Sequence, residues 1–210
     1  MKYEEFKAKY LTKTIGKSRI DLNFEIGSSV GKIKGQHSVT DDLKLVNPNF
    51  KTDSDKWRRN CGKCVVAYEA RRKGLDVEAL PRIGKNDPLR MVKNWLSAFD
   101  YKTSDLRKCT GSNATEIVKS IKEFMIKQGE GARAIISLQW NPIKQKNLTG
   151  HAMFAETIGK DIVKISDPQS GLFEAEFMLE DALLDSVIIL RVDNLELTEE
   201  AKKCYQKRRQ

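Results

Sequence analysis

Asn60-Cys61-Gly62-Lys63-Cys64 opens the stretch NCGKCVVAYEARRKG, and its two thiols are the residues best suited to nucleophilic chemistry. A thiol becomes a useful nucleophile when its surroundings favour the thiolate, and the start of a helix does this with unpaired N–H groups and the positive end of the dipole. The spacing predicts such a helix over 61–73. Cys61, Cys64, Val65 and Tyr68 recur at i, i+3, i+4, i+7, while Glu69, Arg72 and Lys73 fall elsewhere. Asn60 stands where an N-cap belongs and Gly74 where a C′ residue belongs. Taken alone, such a cysteine pair is ordinarily two small residues on a buried face. A zinc site would need a second close pair of ligands, which His37, Cys109, His151 and Cys204 do not form.

The extra weight comes from later in the chain. His151 follows Gly150 at the head of a β-type run, and sixteen residues on comes Asp167-Pro-Gln169. With Gly159-Lys-Asp161 as a hairpin turn, residue 158 faces 162, so 151 lies roughly opposite 169 and diagonal to 167 on the same face. His151 then has a carboxylate and an amide within reach. Singly, a histidine at a strand end is a surface or satisfied core residue, and Asp-Pro after a strand is a turn. Together with a thiol at a helix start they supply the nucleophile, base and orienting acid of covalent acyl transfer.

The elements that must hold these groups read as helices first and a sheet after. Further helices are predicted over about 88–99 and over 114–128. The first carries Leu89, Val92, Trp95, Leu96 and Phe99; the second carries Ile117, Val118, Ile121, Phe124 and Met125, with Ser112-Asn113 before it and Gly129 after it. Beyond Gly131 short β-type runs follow at 134–140, 151–158, 162–166, 172–177 and 187–192. The expected class is α+β, with N-terminal helices packed on an antiparallel sheet. Residues 1–45 read as an irregular arm with a short helix at 3–10, and Leu45-Val-Asn-Pro-Asn49 begins an extended or turn segment up to Trp57. The domain then spans 46–195, and 196–210 is a basic tail, a helix end or frayed terminus.

Composition bounds the alternatives. The chain has 210 residues, 38 Lys plus Arg against 29 Asp plus Glu, and a formal charge of +9, which suits one compact domain or one domain with an extension. No apolar run reaches the roughly 20 residues of a membrane span, and the opening MKYEEFKAKY lacks the apolar core of a signal peptide, so no membrane partner is expected. Four scattered cysteines do not make a disulfide scaffold. Cys109 and Cys204 read as inert thiols, though Lys202, Lys203 and Lys207 would acidify Cys204. The positive charge permits nucleic acid, but no aromatic platform or nucleic-acid motif accompanies it. Gly129-Glu-Gly131 lacks the Lys-Ser or Lys-Thr of a phosphate loop. Trp57, Trp95 and Trp140 read as packing residues.

A helix with Cys at its start, then a sheet carrying His and then Asp, is the chain order of papain-like enzymes. More narrowly, Asn47-Pro48-Asn49, the block NCGKCVVAYEARRKGLDVEALP and the block GHAMFAETIGKDIVKISDPQSG resemble the papain-fold toxin family of glutamine deamidases, over residues 45 to about 192. Similar domains end bacterial polymorphic toxins and phage head-morphogenesis proteins. The resemblance implies a papain-like fold, Cys61 as nucleophile, His151 as base and Asp167 as orienting acid, with Gln169 as a further polar member. Papain's own Cys-Gly-x-Cys would select Cys64 instead, while first-turn position favours Cys61. No papain-type Gln stands shortly before the cysteine, so backbone N–H groups, with Asn60, would form the oxyanion hole. A protein substrate is implied, with an immunity protein or phage head proteins as partners, and residence in the cytoplasm or delivery from a bacterium or virion. No metal or organic cofactor enters. Deamidase and cysteine protease share every step, and a catalytically inactive structural or nucleic-acid-associated module is the rival from another class.

Overall fold

The computed structural model describes residues 38–52, 54–84, 87, 95–145 and 150–208. The helix expected at 3–10, His37 and most of the helix expected over 88–99 lie outside them. In chain order the described elements are α1 (Val39–Val46), α2 (Asp55–Arg58), α3 (Cys61–Arg72), β1 (Val77–Ala79), β2 (Leu106–Lys108), α4 (Ala114–Gln128), β3 (Arg133–Leu138), β4 (His151–Gly159), β5 (Ile162–Ser166), β6 (Ile188–Arg191) and β7 (Tyr205–Lys207). They fall into two compact units. A sheet unit takes Lys102–Ser166 and Glu174–Asp193; a cysteine unit takes 38–101, Asp167–Phe173 and 194–208.

In the sheet unit five strands pair in the order β2-β6-β3-β4-β5, every neighbour antiparallel. Helix α4 forms because Asn113 caps it, accepting from the Glu116 N–H at 3.0 Å, and because Gly129, at φ +90°, ends it. Its buried residues Ile117, Ile121 and Met125 share a core with Ala134, Ile136, Leu138, Met153 and Ile165 of the strands. Each large side chain so buried is worth roughly 1.5–3 kcal/mol. The alternate residues Ile135, Phe154 and Leu190 are buried too, which is why these strands read as continuous apolar runs.

The β4–β5 hairpin differs from expectation at its tip. Gly159 faces Ile162 across a Lys160-Asp161 turn, Asp161 taking φ +59°, and a register shift follows. From Thr157↔Val163 to Phe154↔Ser166 the pairing is nonetheless the one that a 158–162 facing would give. The strand expected at 172–177 is absent: Leu172 makes only a bridge to Asp167, and Glu176–Asp181 is a 3₁₀ helix. The Asp167 carboxylate binds the N–H groups of Gln169 and Ser170 and the Ser170 hydroxyl, and Gly171 at φ +76° turns the chain back on itself.

The cysteine unit is built on α3. At its end Gly74, φ +94°, lets the Gly74 N–H reach the Arg71 carbonyl at 2.8 Å and the Leu75 N–H reach Ala70 at 3.1 Å, a Schellman closure. Part of the expected irregular arm is helical: Ser38 caps α1, and Leu43 and Val46 are buried. The segment up to Trp57 is likewise not extended throughout, since Ser54 caps the short helix α2. Within the expected basic tail, Glu199–Lys203 forms a 3₁₀ helix and Tyr205–Lys207 pairs antiparallel with Val77–Ala79, so these residues are not frayed. Three-residue strands of this kind carry too little period to be read from sequence.

Candidate active site

Cys61 is the first residue of α3 and is half-buried; Cys64, one turn on, is fully buried. Burial pushes the Cys64 thiol well above the usual cysteine range, and the nearby Cys61, Asp167 and Cys204 add to the effect. Cys109 and Cys204 are also pushed up by burial, each to about 12. For Cys204 this corrects the expectation of acidification: desolvation outweighs Lys63 and Lys203. Among the four thiols, Cys61 combines exposure with a helix start.

The Lys63 and Cys64 N–H groups both close on the Asn60 carbonyl, at 2.9 and 3.0 Å. The N–H groups of Cys61 and Gly62 remain as the donors this end of the helix offers to an oxyanion. Gly62 is there for a steric reason that its sequence position did not disclose. A Cβ added to it would lie 2.4 Å from Trp95 Cδ1, so the indole packs directly on the helix's first turn. Lys63 is buried, its Nζ held by the Pro81 carbonyl and the Asp87 carboxylate, both at 2.8 Å.

Asn60 does not cap α3 with its side chain, contrary to expectation. Its backbone sits at φ −111°, ψ +24°, outside the extended region from which a cap reaches N2 or N3. Its Nδ2 instead donates to the Leu80 carbonyl at 3.1 Å, and its Oδ1 accepts from Gln169 Nε2 at 3.3 Å and Asn47 Nδ2 at 3.4 Å. Asn60, Gln169 and the buried Asp167 are thereby gathered within the cysteine unit. Asn47 joins them as a further member that its place in the Asn47-Pro48-Asn49 motif does not by itself disclose. The step Asn47-Pro48 was its available signal, since it forces Asn47 out of the helix.

His151 belongs to the sheet unit. It begins β4, paired across to Leu138, and is buried with its ring stacked on Trp140, centroids 5.4 Å apart and planes at 23°. Gly150 before it answers to a close approach: a Cβ there would meet the Leu138 carbonyl oxygen at 2.6 Å. Trp140, expected as a packing residue, packs on this imidazole.

Among the described residues no group of three His, Cys, Asp or Glu side chains is arranged to hold a metal ion, and no helix is long and apolar enough to cross a membrane. Residues 59–172 match the family model described as papain fold toxin 1, glutamine deamidase. No curated protein and no solved structure matches the chain.

Proposed function

Because this chain belongs to the papain fold toxin 1 glutamine deamidase family, whose model spans more than half of it and whose α+β papain fold it shares, we propose that it deamidates glutamine side chains of a protein substrate through Cys61. In this reading the Cys61 thiolate attacks the side-chain carboxamide carbon, and the N–H groups of Cys61 and Gly62 take the charge that develops on oxygen. His151 holds the thiol's proton and delivers it to the departing nitrogen, releasing ammonia and leaving a thioester. Water then gives a proton to the same imidazole and attacks the thioester carbon, which frees the product carboxylate and restores the thiol. Asp167 orients His151, and Gln169 supports Asp167 through the turn they share.

The observation that carries the choice of nucleophile is the contrast between half-exposed Cys61 and fully buried Cys64, whose thiol is driven toward its protonated form. Iodoacetamide at neutral pH is expected to label Cys61 at least about ten-fold faster than Cys64, Cys109 or Cys204, read by peptide mass spectrometry. Incubated with proteins of a candidate target cell, the enzyme is expected to add about one mass unit at glutamine, and Cys61→Ala to reduce this by at least about 10³-fold. Equal labelling of all four thiols sinks the reading, and new chain termini lost in Cys61→Ala make the enzyme a cysteine protease.

A further inference from the structure

The side-chain amide of Asn47 is buried, and its nitrogen faces oxygens on three segments of the cysteine unit: the Trp57 carbonyl at 2.9 Å, the Gln169 carbonyl at 2.8 Å and Asn60 Oδ1 at 3.4 Å. An amide has two protons to give, so the two carbonyls take the short bonds and Asn60 the long, shared one. Trp57 lies on α2, just ahead of α3; Asn60 directly precedes Cys61; Gln169 lies two residues beyond Asp167. We propose that Asn47 is a positioning residue, its amide fastening the Asp167 loop to the segment that enters the Cys61 helix. The inference rests on Cys61 and Asp167 acting as described above.

Every partner of this nitrogen is an acceptor, so the position calls for two uncharged donors on a short stem. Turning the amide over would set its oxygen against three others, which fixes its orientation. Among the described residues Asn47 Oδ1, itself buried, has no hydrogen-bond partner, a cost that a space-filling residue would not carry. The donors are therefore what the position retains. Local structure delivers them: Pro48 disfavours helix at Asn47, whose backbone at φ −134°, ψ +66° ends α1 and turns the side chain out of the helical row. The clamp then passes on through Asn60, whose own nitrogen is held by Leu80 and whose oxygen receives Gln169. Without Asn47, the Gln169 carbonyl and the Trp57 carbonyl lose the donor they share, and the Asp167 turn is freed from the approach to Cys61.

The test is the alkylation of Cys61 by iodoacetamide in the full chain, followed by peptide mass spectrometry at about pH 6, where an ordinary thiol is almost wholly protonated, and at about pH 8.5. The rate at the lower pH relative to the higher reports how well the surroundings sustain the thiolate. Asn47→Leu removes the donors and fills the space. Val46→Ala, at the neighbouring buried position, removes packing and no donor. With both folded by circular dichroism, Asn47→Leu is expected to lower the ratio at least about five-fold and Val46→Ala to leave it unchanged. An unchanged ratio in Asn47→Leu, or an equal fall in Val46→Ala, overturns the inference. Should Asn47→Leu not fold, Asn47→Ser keeps one donor and is expected to lower the ratio by a smaller factor; no fall overturns the inference as well. Wild-type Cys61 reacting no faster than Cys109 would instead remove the Cys61 reading, and this inference with it. Those two failures are told apart by the wild type alone.

Discussion

The sheet unit fills its helix-facing side with Ile117, Ile121, Met125, Ile136, Met153 and Ile165, whereas the cysteine unit buries Asp42, Asn47, Asn60, Lys63, Arg71 and Asp87 among its apolar residues. Arg71 is 1 % exposed, yet its guanidinium binds Asp42 at 2.9 Å, Asp76 at 3.1 Å and the Val77 carbonyl at 2.9 Å, with Arg72 adding a bond to Asp42 at 3.1 Å. The difference follows from what each unit has to hold. A five-stranded sheet satisfies its own backbone, so most of the side chains between it and α4 fill space, with a few buried polar groups such as Thr157, whose hydroxyl donates to the Met125 carbonyl at 3.3 Å. The cysteine unit must fix segments with little regular structure, 47–52, 80–84 and 167–173, and their carbonyls and turns need directional partners from side chains. The proposed nucleophile and its orienting carboxylate stand in the unit held by directional bonds, where a small displacement matters most to chemistry.

Arg71→Ala gives the largest effect that would sharpen this contrast. It withdraws one of the cations facing Asp42 and leaves buried acceptors behind, so a loss of about 3–5 kcal/mol is expected in chemical denaturation. Ile136→Val in the sheet core is expected to cost about 0.5–1.5 kcal/mol. Equal costs would break the comparison.

Next come the two helix starts, which share an asparagine and use it differently. At α4 the oxygen of Asn113 makes the cap and its nitrogen reaches just the exposed Ser112 hydroxyl, at 3.3 Å, so Asn113→Asp is expected to stay within about 0.5 kcal/mol of wild type. At α3 the nitrogen of Asn60 is needed by Leu80, so Asn60→Asp is expected to cost about 1–3 kcal/mol. Thermal unfolding would show equally small costs for both variants if Asn60 acted as an ordinary cap.

The smallest effect is the pH dependence of the peripheral acids, one in each unit. Burial opposes ionisation of Asp193, but hydrogen bonds from the Arg191 guanidinium and the Arg133 N–H outweigh it and hold the carboxyl below the usual range. Asp76 is held down in the same way, against burial, by Arg208 and Arg71. A depressed carboxyl stabilises the fold above its unfolded value of about 3.9 and loses that contribution as pH falls through its folded value. Asp193→Asn is therefore expected to be less stable than wild type near neutral pH, with the gap closing below about pH 4. A gap that widened in acid would contradict these pairings.

Periodicity carried much of the fold into view. Helices α3 and α4 and strands β3 to β6 stand within a residue or two of their predicted places, because each is long or apolar enough to show its repeat. The short strands β1, β2 and β7 and the helix α1 were not legible. Their three to eight residues depend on partners far along the chain, as Val77 does on Lys207. The run at 172–177 misled for the opposite reason: its composition suits a strand, but the Asp167 turn and Gly171 consume its start.

The sequence by itself determined the family, the helix that begins at Cys61 and the pattern Gly150-His151 with Asp167-Pro-Gln169, since residue types and local spacing are properties of the chain alone. Tertiary structure decided which cysteine is exposed, why Gly62 must be small, and where the amides point. It turned Asn60 from an expected cap into a ligand of Leu80 and Gln169, and made Asn47 a meeting point for Trp57 and Gln169, 122 residues away in the chain. An amide side chain carries both a donor and an acceptor and no periodicity, so only the oxygens that packing brings to it determine what it does.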